Sequence, residues 1–142
     1  MDLSSINFIA VLVAAFAAFA IGFLWHGPLF GKTWMKLMEI TPEQMEEGRK
    51  KMEKKMPLYM LAALVQQLVV ATVMAMLLAA LSISDIGEAV VLALWLWVGF
   101  IAALLLNGVL WEERKLNLYF FNIVYHLVSL VVVAIILVSM GA

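Results

Sequence analysis

The chain has 142 residues, 66% of them hydrophobic, a formal net charge of −1 and no cysteine. Its mean hydropathy of +1.07 lies far above that of a soluble domain, and the missing cysteine excludes disulfides, thiolate catalysis and cysteine-ligated metal or iron–sulfur centres. The near-zero charge balance says nothing about partners, because all nine lysines and arginines fall in two stretches, Lys32–Lys55 and Arg114–Lys115.

Four apolar runs, residues 6–25, 58–81, 89–110 and 118–140, flank those stretches. Each reaches the roughly 20 residues that a membrane-crossing helix requires. They are apolar on all sides, whereas helices of a soluble domain carry a polar face. The expected fold is therefore an all-α integral membrane four-helix bundle forming a single domain over residues 1–142. Segment 26–57, between spans one and two, is expected to lie on the cytoplasmic surface, because insertion retains Lys and Arg on that side. Both termini are then outside. The lipid bilayer is the first expected partner, and no nucleic acid is expected, since Glu43, Glu46, Glu47 and Glu53 interrupt the basic stretch.

The first run contains Ala15-Phe16-Ala17, which looks like a signal-peptide cleavage site, but Asp2 precedes it and no Lys or Arg does. A signal peptide has the opposite charge, so the run is read as a true span. Ala10, Ala14, Ala18 and Gly22 recur along it every four residues, and Ala71, Ala75 and Ala79 do so along the second. Such ridges of small residues let lipid-embedded helices approach closely. They would serve packing inside one bundle or an interface in a homo-oligomer. Pro28 between Gly27 and Gly31 should break the first helix at the membrane boundary. Trp34, Met35, Leu37 and Met38 then suit a short segment in the headgroup layer.

Thr41-Pro42-Glu43-Gln44 reads as a helix start with a capping box. Met45, Met52 and Met56 fall on one stripe of that helix, and Glu46–Lys50 and Glu47–Lys51 are spaced for i,i+4 pairs. Arg49–Lys55 is delivered beside the bilayer, where it could hold anionic lipid headgroups or only be solvated. Gly22-Phe23-Leu24-Trp25 and Gly108-Val109-Leu110-Trp111 end spans one and three alike, a weak sign of a two-hairpin repeat.

Polar side chains in hydrocarbon are expensive, so their depth carries the functional information. Counted from the cytoplasmic ends at 1.5 Å per residue, Gln66, Gln67 and His126 lie about 12 Å deep, Asn122 about 6 Å and Asn107 about 4 Å. His26 stands at the mouth. Asn122, Tyr125, His126 and Ser129 share one face by spacing, and beyond Ser129 the last span is wholly apolar. This polar wedge stops halfway, which excludes a channel lined within one chain. It reads either as an interhelical hydrogen-bond cluster or as a cavity facing the cytoplasm, with Glu112 and Arg114 at its rim. His26 and His126 differ in expected depth by about 10 Å and have no carboxylate at ligand spacing, so no metal, haem or other cofactor is expected. Ser129 and His126 lack an orienting acid, so no catalytic residue is assigned.

Leu24-Trp25-His26-Gly27-Pro28-Leu29-Phe30-Gly31-Lys32-Thr33-Trp34 resembles the first signature of the DUF1761 family of small, mostly bacterial membrane proteins. Trp111-Glu112-Glu113-Arg114, followed by Leu118, Asn122, Tyr125 and His126, resembles its second. Tyr is more usual in that family at the place of His26, and Phe at the place of Trp111. The resemblance implies the bacterial plasma membrane but no activity. The expected role is a non-enzymatic accessory or ligand- or lipid-binding protein. The alternatives are a small oligomeric transporter and an enzyme acting on lipid headgroups.

Overall fold

The structure is a computed structural model that describes residues 2–141. It is all-helical, with no strand among the described residues. A short 3-10 turn (Leu3–Ser5) leads into α1 (Phe8–Leu24), whose N-cap Asn7 accepts from the N–H groups of Ile9 and Ala10. α1 runs into a π-wound turn, Trp25–Leu29, then come α2 (Gly31–Leu37), α3 (Pro42–Met52) and α4 (Met56–Ala80). α5 (Ile86–Leu96), a π-wound stretch (Trp97–Ala102) and α6 (Ala103–Trp111) form one continuous rod, and α7 spans Leu116–Ser139. Phe8–Leu29, Met56–Ala80, Ile86–Trp111 and Leu116–Ser139 are each long and apolar enough to cross a membrane. They match the four predicted runs to within about a turn.

The rods alternate in direction, so one end of the bundle holds both basic stretches and the other holds the chain termini. α1 and α7 pack side by side at the centre. α4 lies against α1 and also touches α7, while α5 and α6 lie against α7. The alanine-rich core occupies the terminal end: Ala10, Ala14 and Ala18 of α1 meet Ala71 and Ala75 of α4 and Val133, Ala134 and Leu137 of α7, all fully buried. Most of both small-residue ridges is thus buried inside the chain, with Ala79 partly exposed, and short side chains bring neighbouring helices into van der Waals contact. Asn7 closes that end by donating from Nδ2 to the Met140 carbonyl at 3.1 Å.

Capping follows the sequence. The Gln44 N–H donates to Thr41 Oγ1 at 3.1 Å, and the Thr41 N–H donates to Gln44 Oε1 at 3.0 Å, satisfying two orphan donors at the start of α3. Three helices, α2, α4 and α6, are followed by a left-handed residue, Glu39 (φ 57°), Ser82 (φ 54°) and Glu113 (φ 55°). Ile40 and Ile83 then donate five residues back, to Met35 and Leu78, at 2.9 Å each, as helix C-termini commonly do.

Two local expectations are corrected. The first span does not stop at Trp25 but continues through Leu29 in wider winding, with Gly27 (φ −116°, ψ −106°) leaving helical geometry. The ring of Pro28 disfavours the α region for the residue before it, so the break falls at Gly27. The spaced charges of α3 form no ion pairs: among the described residues the pairs are Arg114–Glu112, at 3.3 Å, and Lys115–Glu39.

Candidate functional site

At the basic end the helices do not close. Past Gly27 the chain turns so that Trp25, His26 and Phe30 meet α7. Trp25 lies 4.6 Å from Phe30 and 5.8 Å from Phe121 between ring centroids, and His26 lies 5.0 Å from Tyr125, edge to face. Trp34 of α2 approaches His26 at 6.2 Å, and His126 lies 4.8 Å from Tyr125 with the two rings tilted by 49°. Gly31 opens α2 against the His26 carbonyl. Offset and edge-on pairs at these separations are the favoured aromatic geometry. The two sequence signatures, distant along the chain, therefore form one aromatic joint. Trp25 Nε1 is buried in it without a hydrogen-bond partner.

Beside the joint, between α1 and α4, an open groove of about 320 Å³ has Tyr125 of α7 at its base. Phe19, Phe23, Met56, Met60 and Ala63 supply its apolar walls, and His26, Tyr59, Gln66 and Gln67 its polar groups. Tyr125 itself is 9% exposed. A Cβ added at Gly22 would stand 2.8 Å from Tyr125 Oη, so only glycine lets the phenol seat against α1. His26 Nδ1 lies 3.0 Å from the Gly22 carbonyl oxygen. A carbonyl only accepts, so Nδ1 carries the hydrogen and, in the neutral ring, Nε2 is the acceptor.

The predicted polar wedge is thus divided. Gln66, Gln67, His26 and Tyr125 come together in the groove, with Gln66 exposed on the flank of α4. Asn122 instead lines a recess of about 30 Å³ against α6, with Gly108, Tyr119 and Arg114. Asn107 is exposed on the outer side of α6. Glu112 and Arg114 pair with each other in the loop, each 62% exposed, and do not reach the groove. His126 is half-buried behind Tyr125, and Ser129 is buried. His26 and His126, expected far apart in depth, both lie against the Tyr125 ring. Trp111, placed like Trp25 by the shared Gly-x-x-Trp pattern, is 79% exposed and joins no cluster.

The model of a family described as a protein of unknown function, DUF1761, matches residues 9–138. The chain belongs to the DUF1761 family. No curated protein and no solved structure matches it. In this DUF1761 member the matched region takes in all four rods, the aromatic joint and the groove.

Sequence reasoning missed the groove walls, because Phe19, Phe23 and Met60 look like any lipid-facing residue. It also missed two hydrogen bonds that fix the third rod to α7. Trp97 Nε1 donates to the Ile123 carbonyl at 2.7 Å, and Tyr119 Oη donates to the Ala102 carbonyl at 2.6 Å. Both involve the π-wound stretch, where Ala103 N–H bonds Val98 O five residues back. Tyr119, three residues before Asn122 on the same helix, was the available signal.

Proposed function

We propose that this chain is a four-span protein of the bacterial plasma membrane whose basic end faces the cytoplasm and whose termini lie outside. It acts as a non-enzymatic, lipid- or ligand-binding accessory protein through the groove between α1 and α4. The confinement of all nine basic residues to one end of the bundle supports this orientation. In it, α2 and α3 lie at the cytoplasmic headgroup layer.

One observation carries the binding reading: the α1–α4 groove gathers polar side chains, whereas an open groove of about 480 Å³ between α4 and the third rod is lined by apolar residues alone. Polar side chains that served only to join helices would be consumed in bonds between them. Here Gln66 is exposed in the middle of an apolar helix, and a carboxamide facing hydrocarbon requires a partner. A ligand entering sideways from the bilayer supplies one. The groove in the terminal half is lined by apolar residues alone, which disfavours a transporter path within one chain. For a headgroup enzyme built on Glu112, Arg114 and His126 the support is thin: none of them lines the groove, and Arg114 alone borders the recess of about 30 Å³ beside Asn122.

Native mass spectrometry of protein released from bilayer nanodiscs tests the proposal. Wild type should retain lipid, and Ala63→Trp, which fills the groove, should lose it while circular dichroism stays unchanged. Equal retention by both would sink the idea.

A further inference from the structure

The face of α3 turned toward α4 carries Glu46, Arg49, Lys50 and Glu53, at spacings of three, four and seven. With Met56 and Met60 they line a cleft of about 640 Å³ between the two helices. Met56 and Met60 also wall the α1–α4 groove, so cleft and groove are one continuous surface. Its outer part is charged and its inner part is apolar with amide donors. That is the profile of an amphiphile.

The charges specify which amphiphile. Two adjacent cations lie between two carboxylates along the cleft, and among the described residues none of the four is paired. A purely anionic headgroup would meet as much repulsion as attraction here. A headgroup carrying both a phosphate and an ammonium satisfies all four. Farther in, side chains on a helix lean toward its N-terminus, so the Gln66 and Gln67 amides reach back about one turn, roughly 5 Å, toward Met60. Their N–H groups then stand where the ester carbonyls of a lipid follow its phosphate.

We infer that cleft and groove together hold one zwitterionic phospholipid. Arg49 and Lys50 bind its phosphate, Glu46 and Glu53 its ammonium, and the Gln66 and Gln67 amides its ester carbonyls. Phe19, Phe23 and Ala63 receive the start of a chain. This rests on the lipid-binding reading above and narrows it, replacing the anionic headgroup expected at Arg49–Lys55.

The test uses nanodiscs of equimolar phosphatidylethanolamine and phosphatidylglycerol with matched chains, and measures which lipid leaves with the protein. Wild type should be enriched in phosphatidylethanolamine. The Glu46→Gln/Glu53→Gln pair should lower that enrichment roughly fivefold or more, about the effect of one charge at a headgroup, without lowering phosphatidylglycerol retention. Arg49→Gln/Lys50→Gln should reduce both lipids, and Gln67→Leu should reduce both without changing their ratio. Enrichment in phosphatidylglycerol, or a ratio unmoved by the acidic pair, overturns the headgroup assignment while leaving the groove intact. If Ala63→Trp also retains lipid like wild type, the binding reading fails with it. All four variants lie on exposed or groove-lining positions, and their melting temperatures report any folding defect separately.

Discussion

A methyl group at Gly22 would press on Tyr125 Oη at 2.8 Å, but on the next ring carbon only at 3.5 Å, an ordinary contact. Gly22→Ala should therefore destabilise the bundle by about 1–3 kcal/mol, as overpacking does. Adding Tyr125→Phe should restore most of that, because it deletes the one clashing atom. Thermal unfolding in detergent reads both, and a double variant no more stable than Gly22→Ala would show that the phenol is not what glycine accommodates. A second residue-level contact ties the loops. Lys115 holds the Glu39 carboxyl below the ordinary carboxylate range, through a side-chain hydrogen bond first and its charge second. A carboxyl lowered in the folded state adds stability above its unfolded pKa and loses it as pH falls through the folded value. Both side chains are exposed, so the effect is local. Hydrogen exchange at residues 38–41 should quicken as pH drops below about 4 relative to the intrinsic rate, and Lys115→Gln should exchange fast at every pH.

Elements differ in how much the sequence disclosed. The Thr41–Gln44 box and the lengths of the four rods were legible because caps and apolar run lengths are local properties. The phase of an apolar helix was not. The third rod has no polar stripe, so nothing in its sequence marks the switch to π winding at Trp97. The division of the wedge was hidden for a related reason. Residues three apart on a helix differ by about 60° around the axis, and α7 sits between two neighbours. That angle sends Asn122 toward α6 and Tyr125 toward α1 and α4. The hydrogen bonds holding the third rod are testable at this scale. Trp97→Phe and Tyr119→Phe should each cost about 0.6–2 kcal/mol, the range for such bonds in membranes. A double variant losing more than the sum would mark the π-wound stretch as one cooperative unit. Ser82→Gly, by contrast, should raise the melting temperature slightly, since it relieves a side chain from left-handed backbone.

For the whole molecule, the charge pattern and the packing pattern point the same way: the buried alanine core lies at the end away from the basic residues. Composition displayed the first. The second needed the fold, since alanines at 10, 14 and 18 do not say whether they face a neighbour in the same chain or in another copy. In the proposed orientation, Ser4→Cys and Ser84→Cys should react with an impermeant maleimide in intact cells, and Lys51→Cys only after permeabilisation. The cysteine-free background makes the labelling unambiguous. Reaction of Lys51→Cys from outside would invert the topology.

The π-wound stretch also makes the third rod tolerant of a change in length. Within an α-helix, removing one residue rotates everything beyond it by about 100° and moves it about 1.5 Å. A π turn is an α turn holding one residue too many. Deleting Gly99, whose surroundings are empty, would tighten Trp97–Ala102 to ordinary winding and leave Ala89 and Ala93 on one side, and the α6 contacts on the other, facing α7 as before. A one-residue deletion at Val128 in α7 has no such slack to absorb it. Length variation among related chains should therefore collect at residues 97–102 rather than within α7.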